Sequence, residues 1–262
     1  MDLTELSEHS KHQHQTRHPW EQARLEFVYK LINKHASKKS HPVFLDIGSG
    51  DTFVSENLLL KIPHGRFYCV DTAFTKEHLE FYTKKYSHKN IQVFNSAIAA
   101  LSAINCEIDY VLALDVMEHV ANDLDFLKDI SNMEKVTENT KIVLTVPAFQ
   151  SLFSHHDVLL GHFRRYNNNT LKQVTKEAGL EIISIGYFFM SLLIARMLIK
   201  FKEKIIKPKS RKTHVAQWQQ GKLVTNLYKN ILIFDFKTSS LLEKIHLKPK
   251  GLSNYMVCKK PV

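Results

Sequence analysis

Apolar positions in this chain recur with two periods, and the change from one to the other marks out the elements. After His18-Pro19 they fall at Trp20, Ala23, Phe27 and Leu31 with charges between, the 3.6-residue repeat of an amphipathic helix over 19–35, with proline suited to its first turn. From residue 43 short continuous apolar runs take over. Strands are predicted at 43–47, 66–70, 91–94, 110–114, 141–146 and 181–187, with helices at 53–62, 75–86, 122–135 and 170–178, the last ended by Gly179. Buried-type strands alternating with helical stretches predict a parallel sheet covered on both faces. A final apolar run, 251–260, begins at a glycine and reads as a terminal strand returning to the sheet, which makes 190–250 an insertion.

The insertion opens on an apolar segment, 187–199, of 13 residues that include Arg196, short of the ~20 needed to cross a bilayer. Lys200, Lys202, Lys204, Lys207, Lys209, Arg211 and Lys212 follow directly. That pairing reads as an interfacial anchor with cations at headgroup level, or equally as a core or dimer-interface helix with a basic exit. Charge sharpens the contrast: residues 190–262 carry 16 Lys and Arg against 3 Asp and Glu, a net of +13, while residues 1–189 carry 20 against 23, a net of −3. An anionic partner for the tail is one reading and a solvated basic face the other.

With 262 residues, 44% hydrophobic and 24% charged, the chain can bury one sizeable core. Cys69, Cys106 and Cys258 are odd in number and widely spaced, which points away from a disulfide framework or a zinc site and toward a reducing compartment. The acidic opening, Met1 to Glu8, lacks the basic and apolar regions of a secretory signal, so a cytoplasmic location is expected.

The chemistry concentrates where the first predicted strand ends. Asp46-Ile47-Gly48-Ser49-Gly50-Asp51-Thr52 opens a helix, and its glycines let the backbone turn tightly against a ligand at the helix N-terminus. Asp71 closes the second strand, where a carboxylate can accept hydrogen bonds from ribose hydroxyls. A dinucleotide fingerprint needs glycine three positions after Gly50; Phe53 stands there and argues against a pyrophosphate ligand.

In these stretches the sequence resembles the class I S-adenosylmethionine-dependent methyltransferases, a likeness over roughly 45–187 and the terminal strand. The acidic-x-Gly-x-Gly loop, Asp71, Asn95-Ser96-Ala97, Leu114-Asp115-Val116-Met117-Glu118-His119-Val120 and Leu144-Thr145-Val146-Pro147-Ala148 follow the family's order. Thr52 stands where the family often has a third glycine, and Asn95-Ser96 where it often has an aspartate facing adenine. The resemblance implies a Rossmann-like α/β fold with a seven-stranded, mostly parallel sheet, its last strand antiparallel and preceded by a helical insertion. It implies S-adenosyl-L-methionine as cofactor, held by Asp46, Gly48, Gly50, Thr52, Asp71, Thr72, Asn95, Ser96, Ala97, Asp115, Val116 and His119. The expected organisation is an N-terminal helical lid at 1–40, a core at 41–189, the basic insertion at 190–250 and a core strand at 251–262.

The segment 147–166 gathers ionisable side chains just past the fifth strand, and ligands of open α/β sheets bind beyond the strands' carboxyl ends. It resembles a loop of a bacterial subgroup of these enzymes (methyltransferase type 11/12-like) associated with glycan or lipid metabolism, as does the Trp20-x-x-x-Arg24 opening helix. Methyl transfer needs alignment, exclusion of water and removal of one proton. His119, His155, His156 and His162 are the candidate bases, with His155 or His156 favoured and Asp157 as its orienting partner, and Trp20, Arg24, His162, Arg164, Arg165 and Tyr166 are candidate acceptor contacts. Adjacent side chains such as His155, His156 and Asp157 seldom converge on one ion, so no metal is expected. The expected acceptor is a small-molecule or lipid-linked hydroxyl or amine, with peripheral contact at the inner face of a membrane through 187–212. Nucleic-acid methylation and a non-catalytic binding module are the alternatives; against the first, Asp115-Val116-Met117 stands where base-methylating enzymes carry Asn/Asp-Pro-Pro-aromatic.

Overall fold

The computed structural model describes residues 17–205, 218, 220–245 and 247–262. Residues 1–16 of the expected lid and residues 207–212 of the basic run lie outside them. Seven strands form one sheet in the order β3-β2-β1-β4-β5-β7-β6: β1 (Val43–Ile47), β2 (Arg66–Val70), β3 (Ile91–Phe94), β4 (Tyr110–Leu114), β5 (Lys141–Pro147), β6 (Glu181–Phe188) and β7 (Ser253–Lys259). The first five run parallel, and β7 is antiparallel to both β5 and β6. This is the Rossmann-like methyltransferase fold that the sequence led one to expect. The order reverses at β1, so the crevice beyond the ends of β1 and β4 is where a ligand belongs.

Alternation along the strands builds two apolar layers. Phe44 on β1 faces one side with Phe67 and Tyr110, ring centroids 4.4 and 4.8 Å away, while Val43 and Leu45 face the other with Val111 and Ala113. The first layer is covered by α1 (Pro19–Lys34), α2 (Phe53–Lys61) and α3 (Lys76–Lys85), the second by α4 (Ala97–Ala103), α5 (Asp123–Asn132) and α7 (Asn168–Glu177). Helix α1 starts as its sequence dictates, with Pro19 at its first position and the His18 ring accepting from the Trp20 amide at 3.1 Å. Its Phe27 stacks on Phe188 at 4.1 Å and meets Tyr255 edge-on, so the helix is sealed to the β6–β7 side of the sheet.

Periodicity does not disclose α4 or the short α6 (His155–Leu159), because fewer than two turns carry too few apolar repeats. Capping explains α4: Ser96 accepts from the Ala99 amide ahead of an alanine-rich run. The excursion between β6 and β7 contains α8 (Met190–Ile205) and α9 (Lys222–Lys244). Its two ends meet at one junction, where a Cβ on Gly251 would lie 2.0 Å from the Phe188 carbonyl oxygen and only glycine fits. Asp235 of α9 is buried and caps α8, accepting from the Met190 amide at 3.2 Å and the Ser191 amide at 2.7 Å. Among the described residues no helix is long and apolar enough to cross a membrane.

Candidate functional site

The loop after β1 is pinned to β2. The Gly48 and Ser49 amides donate to the Val70 carbonyl at 2.8 and 3.1 Å, and the Gly50 amide donates to Asp71 Oδ2 at 2.9 Å. Three loop residues adopt left-handed backbone: Gly48 (φ +70°), Gly50 (+54°) and Thr52 (+63°). A side chain on Gly48 would place its Cβ 2.5 Å from Val116 Cγ2, so this glycine keeps the β1 and β4 loops in contact. Thr52 holds a glycine-like conformation because its fully buried hydroxyl bonds Tyr86 Oη at 2.7 Å and the Asp51 carbonyl at 2.5 Å. Asp46, buried under the loop, accepts from Ser55 Oγ at 2.6 Å. Desolvation pushes its pKa up to about 6, against that hydrogen bond and the charge of Arg24.

Asp71 accepts one backbone amide on each oxygen, from Gly50 and from Ala73 at 3.0 Å, leaving a lone pair on each for a hydroxyl. Thr72 and Asn95 are exposed beside it, Ser96 is taken up in capping α4, and Ala97 is the first residue of that helix. Asp115, also left-handed at φ +57°, accepts from Thr145 Oγ1 at 3.1 Å and forms an ion pair with Arg24 of α1. The Arg24 guanidinium lies 4.7 Å from the Trp20 ring. Seven residues earlier, just ahead of α1, Arg17 pairs with both Asp51 and Glu21, a clamp between the start of α1 and the glycine loop that the sequence did not announce. Buried Ser49 Oγ and Arg24 Nε have no hydrogen-bond partner among the described residues. A donor cation, a hydroxyl, a glycine pressed against Val116 and a carboxylate with free lone pairs fit a nucleoside that carries an amino-acid group.

The loop after β5 is organised by Asp157, which is fully buried. It accepts from the Ser154 amide (2.8 Å), Ser154 Oγ (3.0 Å), Arg165 Nε (2.7 Å) and His162 Nδ1 (3.1 Å). Burial alone would raise its pKa; the bonds from His162 and Arg165 overcome that and hold the carboxyl well below the usual range. Among the described residues the ring on Asp157 is therefore that of His162, not of His155 or His156, which open α6 and remain accessible to solvent. Successive helical residues point about 100° apart, whereas Gly161 (φ +72°) turns the chain back and returns His162 to Asp157. Desolvation, with Arg196 assisting against the pull of Asp157, lowers the pKa of His156. Arg164 donates to the Val120 and Ala121 carbonyls at 2.9 and 2.6 Å, Arg165 to the Ala148 carbonyl at 3.3 Å, and the buried Tyr166 hydroxyl to Asp123 at 2.8 Å. Arg164 and Tyr166 thus knit the loop to the residues after β4, while Arg165 braces the loop internally.

That neighbouring turn, Met117–His119, holds Glu118 with only 1% of its surface exposed. Its Oε2 has no hydrogen-bond partner among the described residues, and burial with Asp115 nearby raises its pKa well above the ordinary carboxylate value. The Phe163 amide donates to the Glu118 carbonyl at 2.7 Å, and the His119 and His162 rings meet edge-on at 4.6 Å. The two loops therefore form one wall beside Asp115.

A profile of a family described as "Methyltransferase domain" matches residues 12–185. No curated protein matches the sequence. Among solved structures, one from Galdieria sulphuraria named for a sarcosine dimethylglycine methyltransferase is 16% identical with a TM-score of 0.55, covering 90% of this chain and 85% of that one. Phosphoethanolamine N-methyltransferase 2 of Haemonchus contortus, in complex with S-adenosyl-L-methionine, is 17% identical with a TM-score of 0.52 over 89% of this chain; the match spans about half, 52%, of that protein. A [4+2]-cyclase is 12% identical with a TM-score of 0.52, covering 90% of this chain and 80% of that one. These likenesses concern the fold.

Proposed function

The chain belongs to the methyltransferase domain family, and from that premise we propose that it methylates a hydroxyl or amine of a small-molecule or lipid-linked acceptor held at a membrane face. S-adenosylmethionine is the cofactor, and when bound it supplies a methyl group already activated on a sulfonium sulfur. The observation that carries the reading is the wall made by the β4 and β5 loops against the glycine loop, closed on its other side by Arg17, just ahead of α1, and by Arg24 of α1. In this reading Gly48, Gly50 and Val116 shape the cofactor cradle around buried Asp46, Asp71 receives the ribose, Thr72, Asn95, Ser96 and Ala97 border the adenine, and Asp115 with Arg24 and Trp20 orders the amino-acid end. Asp157 is a positioning residue: it fixes the loop from which His155 or His156 removes the acceptor's proton. A histidine with a depressed pKa is neutral at pH 7 and ready to accept.

The membrane part rests on the insertion. On α9, Leu223, Leu227, Ile231, Phe234 and Leu241 are all exposed and fall within about 80° of helix arc, opposite the buried Thr225, Leu232, Phe236 and Ser239. Lys222, Lys229, Lys237 and Lys244 occupy the flank beside that stripe. Ile194, Met197, Leu198 and Phe201 make a similar exposed stripe on α8, whose Arg196 donates to Ser154 Oγ in the acceptor loop at 2.7 Å. Outward apolar stripes on a segment of net charge +13 suit an anionic bilayer and repel a second copy.

Two measurements test the proposal. Release of S-adenosylhomocysteine is followed with phenols and primary amines, free or carried on lipids; product in excess of enzyme supports transfer, and no more than one equivalent from the whole panel contradicts it. Cosedimentation with phosphatidylglycerol-containing vesicles at physiological salt, weakened by Phe234→Glu and absent with phosphatidylcholine alone, supports the membrane contact; no binding to the anionic vesicles refutes it.

A further inference from the structure

We propose that Glu118, His119 and His162 form a binding site for one divalent transition-metal ion at the wall between the β4 and β5 loops. One ligand atom from each lies within 4.8 Å of the others, and rotation of solvent-accessible His119 closes that spread toward the ~2.1 Å bonds of such an ion. Two imidazoles with one carboxylate suit manganese, iron, cobalt or zinc rather than magnesium or calcium, which prefer oxygen alone.

Two independent observations support an ion here. Glu118 is a buried carboxylate whose Oε2 lacks a partner among the described residues, a costly arrangement that a cation relieves. The guanidinium of Arg24, although it acts on Glu118 through its charge, is bonded to Asp115. His162 is also already oriented as a ligand: Asp157 holds its Nδ1 at 3.1 Å, Arg165 fixes the same carboxylate oxygen at 2.7 Å, and Nε2 is left for the ion. Carboxylate, histidine and metal in series is the recurrent way proteins set tautomer and direction at such sites.

The chemical consequence rests on the methyl-transfer reading. With three protein ligands the ion keeps open positions for an acceptor hydroxyl and lowers its pKa as a Lewis acid. The O–H proton passes to His155 or His156, the base of that reading, the oxygen forms a bond to the methyl carbon as the sulfonium C–S bond breaks, and S-adenosylhomocysteine leaves as a neutral thioether. The ion changes neither charge nor oxidation state. The acceptor atom is then oxygen, and the substrate class a phenol or an alcohol.

The test is a cobalt(II) titration of the full, chelator-treated chain, read by visible absorption and calorimetry. His9, His12, His14 and His18 can also bind cobalt, so the comparison with variants decides. One tight equivalent is expected in the wild type, weakened ten- to a hundredfold or lost in Glu118→Gln, His162→Ala and His119→Ala, each checked for cooperative thermal unfolding. Because His119 lies at the surface, His119→Ala keeps the test informative if the buried variants fail to fold. No tight equivalent in the wild type, or one of equal affinity in the folded variants, overturns the site. Cobalt binding without any methyl transfer leaves the site standing and sinks the functional reading; undiminished transfer by chelated protein overturns the ion's catalytic role.

Discussion

Replacing Gly48 by alanine probes the contact on which the proposed cofactor cradle depends. The backbone there has φ +70°, and holding an L-residue in that region costs roughly 1–2 kcal/mol. The new methyl would also lie 2.5 Å from Val116 Cγ2, and overpacking of this kind costs about 1–3 kcal/mol. Gly48→Ala should therefore lower unfolding free energy by about 2–5 kcal/mol, the sum of the two. Val116→Ala removes the atom that is struck but not the backbone strain. In the double variant the overpacking disappears and the strain remains, so the two substitutions should couple favourably by about 1–3 kcal/mol. Urea unfolding of the four proteins gives this cycle, and S-adenosylhomocysteine calorimetry on the same set reports whether the cradle recovers with the fold. Strictly additive losses would refute the reasoning, since they would mean that Gly48 and Val116 do not press on each other.

Other substitutions separate structural from chemical roles. Asp46 has a folded pKa of about 6, above its unfolded 3.8, so the folded state binds the extra proton and stability falls as pH rises between those values. Asp46→Asn should thus stabilise the protein by up to roughly 3 kcal/mol above pH 6 and leave it unchanged near pH 3.5; an equal effect at both pH values in urea unfolding would contradict this. Asp157 shows the opposite sign: its folded pKa is depressed, so its contribution is complete above about pH 4 and is lost as pH falls further. Asp157→Asn should cost about 3–5 kcal/mol at pH 7 by stranding Arg165 and His162, and unchanged denaturant midpoints would show that the carboxylate does not hold the loop.

The fold was legible because its strands are short apolar runs and its first helix repeats every three to four residues from Trp20 to Leu31. Much of the geometry of the glycine loop was legible as well, since glycine is tied to left-handed backbone and Asp46, Asp71 and Asp115 stand near or just past strand ends. What escaped were pairings across long sequence distance. Arg17 reaches Asp51 and Arg24 reaches Asp115, and local periodicity does not encode which of several arginines will do so. The loop 147–166 offered six ionisable neighbours to Asp157, three of them histidines, and choosing His162 over His155 and His156 required the turn at Gly161. Glu118 stood in a motif quoted for other residues; a glutamate beside buried Met117 gives no sign in sequence that its own side chain is buried with a bare oxygen.

The central claim is that the glycine loop and Asp71 together hold S-adenosylmethionine, and calorimetric titration of the full chain tests it most directly. The wild type should bind one equivalent. Asp71→Ala should weaken binding by about 1.5–3 kcal/mol, a factor of roughly 10 to 150, through loss of charge-assisted hydrogen bonds to the ribose and of the bond that steadies Gly50. No heat from the wild type, or an Asp71→Ala affinity equal to it, would contradict the account.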